Sequence, residues 1–308
     1  MASLARKSNV GLDLFNKVAV VVGGTQGIGA AVGMRFASAG ASVYIIGRNG
    51  DLGSAVVEQL KTAGKSGATY EFIKADLSLV SGIKDTVQQL QAKTGAHGID
   101  YLVQTQGGPP NGKFSLTAEG HEPQFVVQSL SRFGISYLLA KSGTLKESVV
   151  NIYAPVLGSS RGLDLDDLEL KKAKEEGKYG ILPAAHRDGD VLNSITYQFA
   201  IDFPHLKVYH VHPGLVATDA FKNQNFPYLV VFLYNILSPI ISRTIGTTAS
   251  TYADIPVYLA ANLKSRGLGL EFSNHNLKPV AISEWIRKEP ESNKRLWEKL
   301  VEMLNEAM

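Results

Sequence analysis

The chain has 308 residues, 44% of them hydrophobic and spread along its whole length, enough to bury a large core in a single α/β domain. A net charge of only +3, with no basic stripe interleaved with aromatics, argues against a nucleic-acid partner. The absence of cysteine excludes disulfides, thiolate catalysis and cysteine-ligated metal, so no metal is expected and a reducing compartment fits.

Residues 1–15 lack the apolar core of a signal peptide, which points to the cytoplasm. Residues 17–22 (KVAVVV) read as a buried strand, and residues 28–39 then carry apolar positions at helical spacing. Further strands are expected at 42–46, 70–73, 101–103, 148–153, 208–211 and 267–272, with a helix around 83–90. Alternating β and α segments with continuous apolar strands imply an α/β Rossmann-type fold: a doubly wound parallel sheet with helices on both faces. Ligands then bind beyond the carboxyl ends of the strands. Residues 164–176 read as a charged surface loop or helix. Residues 226–241 (FPYLVVFLYNILSPII) are too short and too interrupted to span a membrane. They read as a hydrophobic lid at about 219–245, with Phe221, Phe226 and Tyr228 lining a pocket for an apolar small molecule, or alternatively as a shallow membrane contact. Residues 293–308 form an amphipathic helix with Leu296, Leu300 and Leu304 on one face and Ser292 as its N-cap.

The first strand runs directly into Gly23-Gly24-Thr25-Gln26-Gly27-Ile28-Gly29 and then a helix, the context in which backbone N–H groups cradle a pyrophosphate. The second strand ends in Gly47-Arg48-Asn49. An NAD site places a carboxylate there for the ribose 2′-hydroxyl, whereas the Arg48 guanidinium suits a 2′-phosphate, so NADP(H) is the expected cofactor.

These residues resemble the short-chain dehydrogenase/reductase superfamily over most of the chain. Gly23, Gly27, Ile28 and Gly29 match its TGxxxGIG motif, with Val22 in place of the threonine. Asp76, followed by Leu77, matches its adenine-contacting aspartate. Its NNAG stands here as Gln104-Thr105-Gln106-Gly107, and its PGxVxT as Pro213-Gly214-Leu215-Val216-Ala217-Thr218. Lys294–Glu298 resembles the C-terminal end of retinol-dehydrogenase-like members. The resemblance implies a dinucleotide site at these positions, and it implies a homo-oligomer built through helices flanking the active site.

The same resemblance implies a catalytic tetrad of Asn, Ser, Tyr and Lys, and here the match fails. The Asn position reads as Ser131, beside Arg132, and the Ser position as Ala154. The Tyr is Tyr179 with Pro183 in the Lys position, or it is replaced by His186 with Asp190 in the Lys position. Neither register supplies a lysine. Reductases of fungal alkaloid pathways that lack the usual tetrad are similar in Ser131-Arg132-Phe133 and in residues 163–168, which makes Arg132 and Asp166 (or Asp167) candidates for acting on an iminium. Their Pro-Asp-Pro-Gly-Trp loop is replaced by Val211-His212-Pro213-Gly214-Leu215. Three readings stand: an NADP(H)-dependent reductase of an apolar carbonyl, imine or iminium, with secondary metabolism as its setting; a non-redox or cyclase-like enzyme; and a cofactor-binding protein without turnover.

Overall fold

The computed structural model describes residues 2–108, 110–158, 162–217, 247–261 and 269–306. Seven parallel strands form one sheet: β1 (Val18–Val22), β2 (Ser42–Gly47), β3 (Tyr70–Lys74), β4 (Ile99–Gln104), β5 (Leu145–Ile152), β6 (Lys207–Val211) and, after two short strands, Leu270–Ser273. The spatial order is β3-β2-β1-β4-β5-β6 and then Leu270–Ser273, so the winding reverses between β1 and β4. Every residue of β1 and β4 is buried, which is why β1 is continuously apolar and not alternating; β4 buries Asp100 and Gln104 as well.

One face of the sheet carries α2 (Gly27–Ser38), α3 (Gly50–Ala63), the N-terminal helix α1 (Ala2–Ser8) and the helix Asp254–Ala261. The other carries α4 (Val80–Thr94), α6 (Ser131–Lys141), α8 (Ile181–Asp202) and the C-terminal helix Pro290–Glu306. Each of these faces buries its own aliphatic cluster, and each fully buried Val, Leu or Ile stabilises the fold by roughly 1.5–3 kcal/mol. Short α5 (Pro123–Phe125) runs into a π-turn, Val126–Leu130, and then into α6, so the helix over β4 and β5 is wider wound just before Ser131 and Arg132. Such turns recur at functional sites.

The expected strands are all present, with ends shifted by a few residues. The C-terminal helix starts at Pro290, which places Ser292 inside its first turn and not at its N-cap. The Ser292 hydroxyl donates to Glu289 Oε2 instead. Leu296, Leu300 and Leu304 are buried as the pattern demands, joined by Met303. Trp297 packs edge-on against Phe133 and Tyr137 of α6 and tilted against Phe199 of α8, at 4.8–5.9 Å between ring centroids. The short helix α7 (Lys171–Glu175) lies within the charged segment, of which Leu168 and Glu169 are buried.

Candidate dinucleotide and catalytic site

The loops after β1 and β4 meet at the reversal point of the sheet. Gly23 has φ +77°, and a Cβ there would lie 2.7 Å from Gln106 N. A Cβ on Gly29 would lie 2.2 Å from Gly23 O. Both positions therefore require glycine, and the turn they allow is closed on itself. Gln26, the N-cap of α2, is fully extended and makes no side-chain cap, so the first-turn N–H groups of α2 are left for a ligand. Gly27, Ile28 and Gly29 form that turn, and Thr25 is buried beside it. An uncapped twelve-residue helix behind a glycine cradle fits a pyrophosphate.

At the end of β2, a Cβ on Gly47 would lie 2.6 Å from Thr25 Cγ2. The carboxylate that would select an unphosphorylated ribose has no room there. Arg48 is exposed, and no ion pair to it occurs among the described residues. Asn49 serves the fold, since its Oδ1 caps α3 by accepting from Leu52 N at 3.0 Å. Asp76 turns the chain after β3, its Oδ1 accepting from Ser78 N at 3.0 Å and from the Ser78 hydroxyl at 2.7 Å, while Leu77 is buried. Gly107 has φ +92° and lies against Gln128. Pro213 and Gly214 follow β6, with Gly214 against the His275 ring, and Val216 pairs with Thr247. Thr218, Phe221, Phe226, Tyr228 and the expected lid at 219–245 lie outside the described residues.

Past β4 and β5, Gln106, Ser131 and Arg132 form a connected polar set. Gln106 Nε2 donates to Ser131 Oγ at 3.0 Å, so the longer side chain of Gln106 reaches across to the short Ser131. Ser131 passes its own proton to Val127 O at 2.7 Å. Arg132 is fully buried. Its Nη1 donates to Gln128 O (2.7 Å) and Gln128 Oε1 (2.5 Å), and its Nη2 to Gln106 O (2.7 Å) and Ile152 O (3.2 Å). Gln106 and Ile152 lie at the ends of β4 and β5, beyond the last paired residues Gln104 and Asn151. The guanidinium thus bridges the two strands where their own ladder stops. Burial pushes its pKa down to about 10.

The candidates Arg132, Tyr179, His186 and Asp166 are not brought into one constellation. Tyr179 precedes α8, packs edge-on against Phe114 and donates its hydroxyl to Glu122 Oε1 at 3.3 Å. Burial, and next the Glu122 charge, raise its pKa above the usual tyrosine value. His186 lies in the second turn of α8, half-buried, and its Nδ1 donates to Leu157 O at 2.7 Å in the turn that follows β5. Asp190, one turn further on, accepts from the Ser283 hydroxyl at 2.7 Å. Asp166 is exposed and lines a surface groove with Arg295, Glu298, Lys299 and Glu302 of the C-terminal helix. The pairing of Asp166 with Arg132 at one substrate is corrected accordingly: one lies on the surface and the other is enclosed.

A buried ion cluster beside this region is not foreseen by the sequence motifs. Arg187 Nη1 meets Glu122 Oε2 at 3.1 Å and its Nε meets Asp188 Oδ1 at 3.0 Å, while the Ser129 hydroxyl donates to the same Asp188 oxygen at 2.8 Å. Burial raises both carboxyl pKa values against the opposing pull of Arg187. The available signal was the dipeptide Arg187-Asp188 on a helix face otherwise made of Ala184, Val191 and Ile195.

Comparison with known proteins decides the family. Residues 17–138 match the short chain dehydrogenase model. An uncharacterized oxidoreductase of Mycobacterium tuberculosis is 31% identical over 224 residues, 68% of this chain and 74% of the relative. The chain belongs to the short-chain dehydrogenase/reductase superfamily. This oxidoreductase chain is also similar to an uncharacterized oxidoreductase of Saccharomyces cerevisiae, 29% identical over 283 residues, covering 88% of this chain and 84% of the relative. Among solved structures, a short chain dehydrogenase from Burkholderia cenocepacia in complex with NADP has the same fold, with a TM-score of 0.60 at 21% identity, over 85% of this chain and 99% of the other. No helix among the described residues is long and apolar enough to cross a membrane.

Proposed function

We propose that this dehydrogenase-family chain is an NADP(H)-dependent reductase of an apolar carbonyl, imine or iminium. The observation that carries the reading is the closed glycine cradle at an uncapped helix, next to an end of β2 where Gly47 leaves no carboxylate and Arg48 is free for a 2′-phosphate. The NADP bound by the Burkholderia cenocepacia relative is in keeping with it. When bound, NADPH supplies a hydride.

The residues of this chain supply the rest. The first-turn N–H groups of α2 would hold the pyrophosphate, Asp76 and Leu77 the adenine, and Gly107, Pro213, Gly214 and Val216 the nicotinamide end. Ala154 offers the substrate no hydrogen bond. By register His186 is assigned as the proton donor: its Nδ1–H is held by the Leu157 carbonyl, which leaves Nε2 to exchange a proton with the substrate. Tyr179 has its hydroxyl engaged with Glu122 and is second choice. An iminium substrate needs no proton donor at all, because it arrives already charged. Loss of the serine and lysine of the family also favours a second reading, a non-redox cyclase that retains the dinucleotide.

Transfer of deuteride from one face of C4-labelled NADPH into product tests the reading, and product formed without label sinks it. Arg48→Ala is expected to weaken NADPH by about tenfold or more, the loss of one charge-assisted contact, and to leave NADH unchanged. Fluorescence titration measures both, and equal losses contradict the specificity argument. With a carbonyl substrate, His186→Gln is expected to lower the reduction rate on the order of 10²-fold at unchanged NADPH affinity, while Tyr179→Phe keeps most of the activity. The reverse ranking in steady-state rates moves the proton to Tyr179.

A further inference from the structure

The guanidinium of Arg132 has five N–H groups, and four are used on neutral oxygens. The fifth, on Nε, is buried and has no partner. A buried N–H of a cation without an acceptor is a costly arrangement, and its usual remedy in a native protein is an internal water. Arg132 also lines a small, partly open void of about 10 Å³ between β5, β6, α6 and α8, together with Ser136, Asn151 and Thr196 and with apolar walls that include Val149 and Val208. That is about the least room that holds one water molecule. The polar lining is also chemically complementary. Ser136 Oγ already accepts from Gln104 Nε2 at 2.9 Å and still has its own proton to give. Thr196 Oγ1 receives only a long contact of 3.4 Å from Asn151 Nδ2 and has room for a better donor.

We propose that this void is a built site for one ordered water, which accepts from Arg132 Nε and the Ser136 hydroxyl and donates to Thr196 Oγ1. Arg132 with its water is then a positioning group: it ties α6 to the ends of β4 and β5, through Gln106 O and Ile152 O, and reaches α8 through Thr196. Those strand ends carry Gln106 and Ala154 toward the place where the nicotinamide and substrate meet. The water gives the cation its full set of neighbours without a carboxylate in hydrogen-bonding contact. The inference concerns the interior of the protein and holds whether or not the chain turns over NADPH.

A high-resolution crystal structure tests it directly. The expected result is a spherical density peak within hydrogen-bonding distance of Arg132 Nε, Ser136 Oγ and Thr196 Oγ1, and an empty void overturns the proposal. Val149→Ile supplies a second test, since it pushes a methyl group into the same space. Displacing a bound water strands the Arg132 N–H, and the unfolding midpoint is expected to fall by about 2–3 °C. An unchanged or raised midpoint means that the methyl filled a dry void, and that result also overturns it. A crystal structure of this variant is expected to lack the peak, and a peak retained there places the water elsewhere and contradicts the assignment.

Discussion

Replacing Arg187 by methionine is expected to cost about 3–5 kcal/mol of stability, a large loss for a single side chain. The reason is the company that Arg187 keeps. Glu122 and Asp188 are both fully buried, and Arg187 is in ion-pair contact with each. Methionine fills the volume but leaves two enclosed carboxylates, one of which also caps α5 through Gln124 N and Phe125 N. The loss has a definite pH sign. Both carboxyl groups already have pKa values raised by burial in the native chain, and removing the cation raises them further. A carboxyl with a raised folded-state pKa favours the folded state below its unfolded value, and that contribution is lost as pH rises through the folded value. The deficit of Arg187→Met relative to the native chain is therefore expected to be smaller at pH 5 than at pH 8. Urea unfolding at the two pH values measures it, and a deficit independent of pH removes the carboxylates from the explanation.

Gly29→Ala is expected to weaken NADPH and NADH alike, on the order of 10²-fold. The added Cβ would lie 2.2 Å from Gly23 O, so the turn must open before it can fit. Opening it moves the first-turn N–H groups of α2, which hold a phosphate without regard to the ribose. The equal loss for both cofactors separates this variant from Arg48→Ala. Titration of both nucleotides checks it, and retention of NADPH within threefold of native affinity would falsify the cradle.

How much of this was legible in the sequence depends on which force fixed each part. The strands were readable because a sheet covered on both faces makes its strands apolar throughout, as Val18–Val22 is. The cradle was readable because Gly23 and Gly29 answer to steric limits that no other residue satisfies. Strand ends were less so: β5 begins at Leu145, which pairs with Ile99, and its polar Lys146 and Glu147 fall in a register irregularity before Ser148 pairs with Tyr101. The role of Arg132 was not readable, because a charged residue in a sequence carries no record of whether it faces a substrate or four carbonyl oxygens. The pairing of Arg187 with Asp188 was hidden for the same reason. Ser292 illustrates a smaller failure, a good capping residue overtaken by Pro290, which suits the first turn of a helix.

The helix Pro290–Glu306 sits far from the cradle in sequence, yet it packs on α6 and α8, which carry Arg132 and His186. During synthesis it leaves the ribosome after every strand of the sheet. The glycine cradle, made mainly from residues in the first third of the chain, can assemble while translation continues, whereas α6 and α8 wait for the last segment to arrive. A stop codon shortly before residue 290 would thus leave the glycine cradle, Arg132 and His186 in the chain and still deprive α6 and α8 of Leu296, Trp297 and Leu300, so the damage of such a truncation would fall on those two helices first.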